Sequence, residues 1–108
     1  MEIHTIEFER KIRSSRRYQP GTCPHYILLL SKSPMVFGFG GRREERPSGQ
    51  AVFYRPSDTV DFEGIGEFMA YDLVAFNMSK QEASVVEALP LPREEPVAPP
   101  QPSRPVRP

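Results

Sequence analysis

The sequence has one cysteine, two histidines, no net charge and no long apolar run. Each scarcity excludes something. A lone Cys23 forbids an internal disulfide, and its neighbour Pro24 opens a strand-like stretch rather than the helix N-terminus that lowers a thiol's pKa. His4 and His25 lie on different predicted strands and fall short of the three nitrogen ligands plus a carboxylate of a cupin metal site. Fourteen basic and fourteen acidic side chains cancel, so no overall positive field draws in nucleic acid or anionic lipid. The longest apolar run of the barrel region, Tyr26 to Leu30, is too short to span a bilayer. The start Met1-Glu2-Ile3-His4 lacks the basic and apolar regions of a signal peptide. These features predict a soluble, cytoplasmic protein with no cofactor and no catalytic role.

Proline is abundant instead: eight of the 13 prolines fall in the last nineteen of 108 residues. The folding unit is therefore expected over residues 1–89, and that length holds one small domain. Residues 90–108 are expected to be disordered or polyproline-like, because they cannot bury enough apolar surface to offset ordering entropy. Their PxxP spacings, from Pro96 through Pro108, suit aromatic grooves, although a solvated tail is the preferred reading.

Within the folding unit the apolar period is two. Ile3–Phe8 reads as a strand, Arg10–Pro24 as an irregular basic loop, and 25–31 as a buried strand. Met35–Phe39 reads as its hairpin partner. Gly38-Phe39-Gly40-Gly41 is a hairpin turn rather than a phosphate loop, since no helix follows it. Arg42–Arg46 reads as a polar turn, and Gln50–Tyr54 as a strand stopped by Arg55-Pro56-Ser57-Asp58. Phe68–Phe76 is the longest strand; its nearly unbroken apolar run predicts that both faces are covered. Asp72 interrupts it and needs a partner, with Arg55 or an arm arginine as candidates. Ser79 and Glu82 match a capping box, followed by Ala83, Val86 and Leu89 at helical spacing and a stop at Pro90. The fold expected is mainly β: a small antiparallel barrel with one short C-terminal helix.

Residues 25–77 resemble the sensor domain of AraC-type transcription regulators, a cupin-like (double-stranded β-helix or jelly-roll) barrel. The matching pieces are the strand His25–Leu30, the turn Pro47-Ser48-Gly49-Gln50 leading into Ala51–Pro56, and the closing strand Tyr71–Phe76. Where the family has Pro-Gly-x-x-His-x-aromatic, this chain has Pro56-Ser57-Asp58-Thr59-Val60, with Phe62 in the aromatic place. Leu73 stands where family members often carry tryptophan. The resemblance implies residues 1–20 as N-terminal strand and arm, 21–89 as barrel plus short helix, and 90–108 as tail. It implies a regulator truncated before its DNA-binding half.

By the same resemblance, the ligand-binding positions are Phe62, Tyr71 and Leu73, with an arm arginine near Arg16 or Arg17. Met69 shares the face of Tyr71 and Leu73 by the period of two. The implied partner is a small-molecule effector, sugar-like or small organic, in a pocket more apolar than a sugar site. A homodimer, or a heterodimer with an intact regulator, is the implied assembly, with no direct nucleic-acid contact and no membrane. The alternatives are a small metal-dependent cupin enzyme and a non-catalytic dimerisation or interaction module using the Pro-rich tail.

Overall fold

Alternation between apolar and polar residues builds strands here, and the strands stack as facing antiparallel sheets. The computed structural model describes residues 1–13 and 21–98. In chain order the strands are β1 Glu2–Arg13, β2 Gly21–Thr22, β3 Tyr26–Ser31, β4 Met35–Phe39, β5 Arg42–Arg46, β6 Ala51–Tyr54, β7 Thr59–Val60, β8 Phe62–Gly64 and β9 Phe68–Asn77. One helix follows, α1 Lys80–Glu87. The first sheet has the order β1-β9-β3-β6, the second β5-β4-β8, and β2 pairs with β7. The chain is thus mainly β with one short helix, as the sequence predicts. Among the described residues the ladders form three separate sheets and do not join into a closed ring.

The core lies between the two larger sheets. Ile27, Leu29, Val52, Tyr54, Met69, Tyr71 and Ala75 point inward from the first sheet. Met35, Phe37, Phe39 and Phe62 meet them from the second. In β3 the burial alternates strictly, with Ile27, Leu29 and Ser31 in and Leu28 out, which is the pattern of a strand covered on one face. The inward Ser31 is satisfied locally: its Oγ accepts the Gln50 N–H at 2.9 Å.

Several elements depart from expectation. β1 continues through the basic residues to Arg13, because its ladder with β9 extends that far. Arg42–Arg46, expected as a turn, is strand β5. It is drawn out by pairing with β4 across the hairpin at Gly40 and Gly41, whose φ values of 58° and 75° suit glycine. β9 is most deeply buried on its inner face, at Met69, Tyr71 and Ala75; on the other face Phe68 is exposed and Ala70, Asp72, Val74 and Phe76 are half-buried.

The predicted capping box is present. Ser79 Oγ accepts the Glu82 N–H at 3.2 Å, and Glu82 Oε1 accepts the Ser79 N–H at 2.9 Å. The helix ends with Ala88 as C-cap.

The C-terminal stretch corrects the expected boundary at residue 90. Residues 90–98 pack on the domain. Val97 and Ala51 exchange two backbone hydrogen bonds of 2.8 Å, and Pro96 is fully buried. Arg93 pairs with Asp58, and Glu94 accepts the Thr59 N–H. The low apolar content of the whole stretch hid these first nine residues, of which Val97 bridges Ala51 at the start of β6. The remaining PxxP residues, 99–108, lie outside the described residues, as does the loop 14–20. No helix among the described residues is long and apolar enough to cross a membrane.

Candidate functional site

The period of two on β9 sends Met69, Tyr71, Leu73 and Ala75 to the inner face, toward the second sheet. Phe62 comes from β8 on the opposite side. Its ring meets that of Tyr71 edge-on, with centroids 5.7 Å apart and planes at 68°, the favoured geometry for an aromatic pair. Phe62, Met69 and Tyr71 are buried, whereas Leu73 is half-buried and packs against the core with Ile12 and Cys23. Four of the five sequence-selected positions therefore come together between the sheets, and Leu73 marks the margin of that interior. The fifth, Arg17, lies outside the described residues, with Arg16.

The edge strand β1 brings polar residues into register with these positions. In the β1–β9 ladder Glu7 lies opposite Leu73, Arg10 opposite Tyr71 and Ile12 opposite Met69. A register shift between Glu7 and Arg10 lets both pairs form, as a β-bulge does. Sequence reasoning placed the arm's cation near Arg16 or Arg17, outside the described residues; among the described residues Arg10 is the arginine in register with Tyr71. The sequence signal for this placement was Ile12, an apolar residue at strand spacing inside the basic stretch.

The two histidines, expected apart, are brought together at the C-terminal end of β9. Their rings stack with centroids 4.0 Å apart, and His25 Nδ1 lies 2.7 Å from Asn77 Oδ1. Asp72 points to the outer side, where Lys32 Nζ lies 3.4 Å from its carboxylate. Arg55, one of its expected partners, instead gives its Nε to Glu87 at 3.0 Å. Among the described residues no group of three or more His, Cys, Asp or Glu side chains is placed to hold a metal ion.

Two surface depressions are formed by described residues. A polar cleft of about 350 Å³ runs from Gly38 to Arg43 and includes Thr59, Asp61 and Glu94. Its charges are matched internally. Arg43 Nη1 lies 2.7 Å from both Asp61 oxygens and Nη2 lies 3.1 Å from Glu63. These hydrogen bonds, Asp61's above all, raise the Arg43 pKa. An apolar groove of about 350 Å³ lies where Leu91, Pro92 and Val97 pass Leu28 and Phe53.

The chain matches no protein-family model and no curated protein.

Proposed function

We propose that this chain is the small-molecule-sensing module of an AraC-type transcription regulator, built as a small cupin-like barrel and without catalytic activity. The effector would lodge between the sheets at the margin marked by Leu73, beside Phe62, Met69 and Tyr71. The observation that carries this reading is the placement of β1 along β9, with Glu7 opposite Leu73 and Arg10 opposite Tyr71. An apolar interior next to one cation and one anion suits a small organic molecule with an apolar body and a polar end. β1 is an edge strand of this sheet, paired on one side only, so its release breaks a single ladder, that with β9. Effector binding would favour the docked placement of the arm, and the change in population would be the signal. A DNA-binding partner would read that signal. The order and spacing of residues 25–77 that resemble the family support the same reading.

The test is a panel of sugars and small organic acids, read by thermal shift and calorimetry. Binding is expected to raise Tm and to weaken at least about tenfold in Arg10→Ala, a loss of about 1.4 kcal/mol, with the circular dichroism spectrum unchanged. A panel that leaves Tm unmoved, or binding indifferent to Arg10, overturns the proposal.

A further inference from the structure

Residues 91–98 run as a strap beside β6, outside the stretch that carries the family resemblance. Val97 and Ala51 pair antiparallel, so side chains of the strap alternate as in a strand. Pro96 turns inward and is fully buried, while Glu95 and Val97 fall on the outer side with Ala51 and Phe53. Leu91 and Pro92 of the strap, and Leu28 opposite Phe53 in the β3–β6 ladder, extend the lining. The result is a groove of about 350 Å³ with one ionisable side chain, Glu95, among apolar ones. Glu95 is half-buried, and no cation among the described residues pairs with it. Arg55 lies near, its guanidinium 5.4 Å from the Phe53 ring centroid, but it does not line the groove and its Nε is held by Glu87 at 3.0 Å.

We propose that this groove is a second ligand site, which takes a small molecule with an apolar body and a cationic amine that pairs with Glu95. The inference does not rest on the sensing function, and its site is separate from the interior beside Tyr71.

Size selects a small molecule. Ligand pockets hold about 300–1,000 Å³, and this groove lies within that range. A stable protein partner needs about 20–30 residues on each side, against the eight that line the groove. The lining selects the chemistry. Apolar walls hold the body of a ligand, and a single placed polar group fixes its orientation. A half-buried carboxylate has lost part of its hydration, and an ammonium at hydrogen-bond distance offsets that loss with a charge-assisted bond. An anionic ligand would meet the same carboxylate as repulsion, and a neutral one would leave it without a counter-charge.

NMR titration of the full chain, with labelled leucine, valine and methionine methyl groups, tests the proposal. The probes are octylamine and its neutral and anionic counterparts, octanol and octanoate. Octylamine is expected to shift the Leu28, Leu91 and Val97 methyl signals. It is expected to bind about fivefold more tightly than octanol, as for an ion pair at a partly exposed site, and octanoate is expected to bind least. Glu95→Gln keeps the shape of the side chain and removes its charge. It should bring octylamine down to the affinity of octanol and leave octanol unchanged. Leu91→Ala shortens an apolar wall and should weaken both probes; it carries the test if Glu95→Gln does not fold. Equal affinity for octylamine and octanol, octylamine binding unchanged in Glu95→Gln, shifts confined to the Met69 and Leu73 methyls, or no shift at all overturns the proposal. So does octylamine binding that appears only in the full chain carrying Arg104→Gln and Arg107→Gln, which would give the groove to the chain's own C-terminal stretch. Binding that fades as protein concentration rises would give it to a second copy and overturn the proposal equally.

Discussion

The Asp61 side chain lies across the backbone of Gly38. A Cβ added at Gly38 would fall 2.0 Å from Asp61 Oδ2 and 2.5 Å from Cγ. The absence of a side chain at 38 thus lets Asp61 reach Arg43 with both oxygens at 2.7 Å, while the Gly38 N–H donates to the Asp61 carbonyl at 2.9 Å. Close approach of backbone and side chain is a standard use of glycine within a strand.

Gly38→Ala is therefore expected to destabilise the fold by about 1–3 kcal/mol, the usual cost of overpacking. The methyl group must expel the Asp61 carboxylate from its pair with Arg43. Asp61→Ala in the same background removes the colliding carboxylate, so the two changes should not add. Urea denaturation of the two single variants and the double variant measures the coupling. Additive losses would show that the two residues are independent.

The turn after β6 gives a second expectation, and it connects with the family resemblance. Ser57 has φ of 75°, a region that costs a non-glycine residue roughly 1–2 kcal/mol. The resembling pattern carries glycine after proline at this place. The turn is held by Asp58, whose Oδ2 accepts the Arg55 N–H at 2.9 Å. Ser57→Gly removes the backbone strain and gives back part of the gain as unfolded-state entropy. A net stabilisation of about 0.5–1 kcal/mol is expected, read as a higher urea midpoint at unchanged slope. A lower midpoint would contradict the strain.

Much of the fold was legible because its signals are local. The alternation in Tyr26–Ser31 and the Ser79–Glu82 pair each name their element without reference to the rest of the chain. β5 was illegible for the opposite reason. Arg42, Arg43, Glu44, Glu45 and Arg46 have no apolar alternation, and only the β4 hairpin makes them a strand. The same holds for Arg10–Arg13, extended by β9, and for Val97, extended by Ala51. At the candidate site, period and resemblance brought Phe62, Met69, Tyr71 and Leu73 to one interior. The register of Arg10 with Tyr71 was not legible because the shift after Glu7 breaks the simple count of two.

Arg55 and Glu87 give a third expectation. The Arg55 side chain is only 7% exposed, against 53% for Glu87. Its guanidinium lies 5.4 Å from the Phe53 ring centroid. Removing Glu87 leaves a buried cation without its carboxylate, so Glu87→Ala is expected to cost about 1–3 kcal/mol. Arg55→Met keeps the stem volume and removes the charge, and replacing a buried ionic group this way is often neutral. The order of the two variants in denaturant midpoint is the check. A larger loss in Arg55→Met would show that the guanidinium matters for more than its pair.

The last expectation concerns acid. The Met1 ammonium lies 2.8 and 2.9 Å from the two Glu82 oxygens, and Glu82 also accepts the Ser79 N–H. The ammonium first, and the Ser79 backbone second, lower the Glu82 pKa from 4.5 to about 2. A depressed folded-state pKa means that the tie is fully present above about pH 4.5 and is lost as pH falls toward 2. Protonation removes the Glu82 charge that holds the Met1 ammonium and the Ser79 N–H, so the β1 end and the first turn of α1 should loosen together. Acetylating the N-terminus removes the larger cause, and the Glu82 pKa should rise back toward the ordinary range, as read by NMR titration of its carboxyl carbon. Ser79→Ala removes the cap that Glu82 reciprocates and is expected to cost about 1 kcal/mol, with faster amide exchange confined to the first turn of α1. A Glu82 carboxyl that titrates identically with and without the acetyl group would break the link between the N-terminus and the helix.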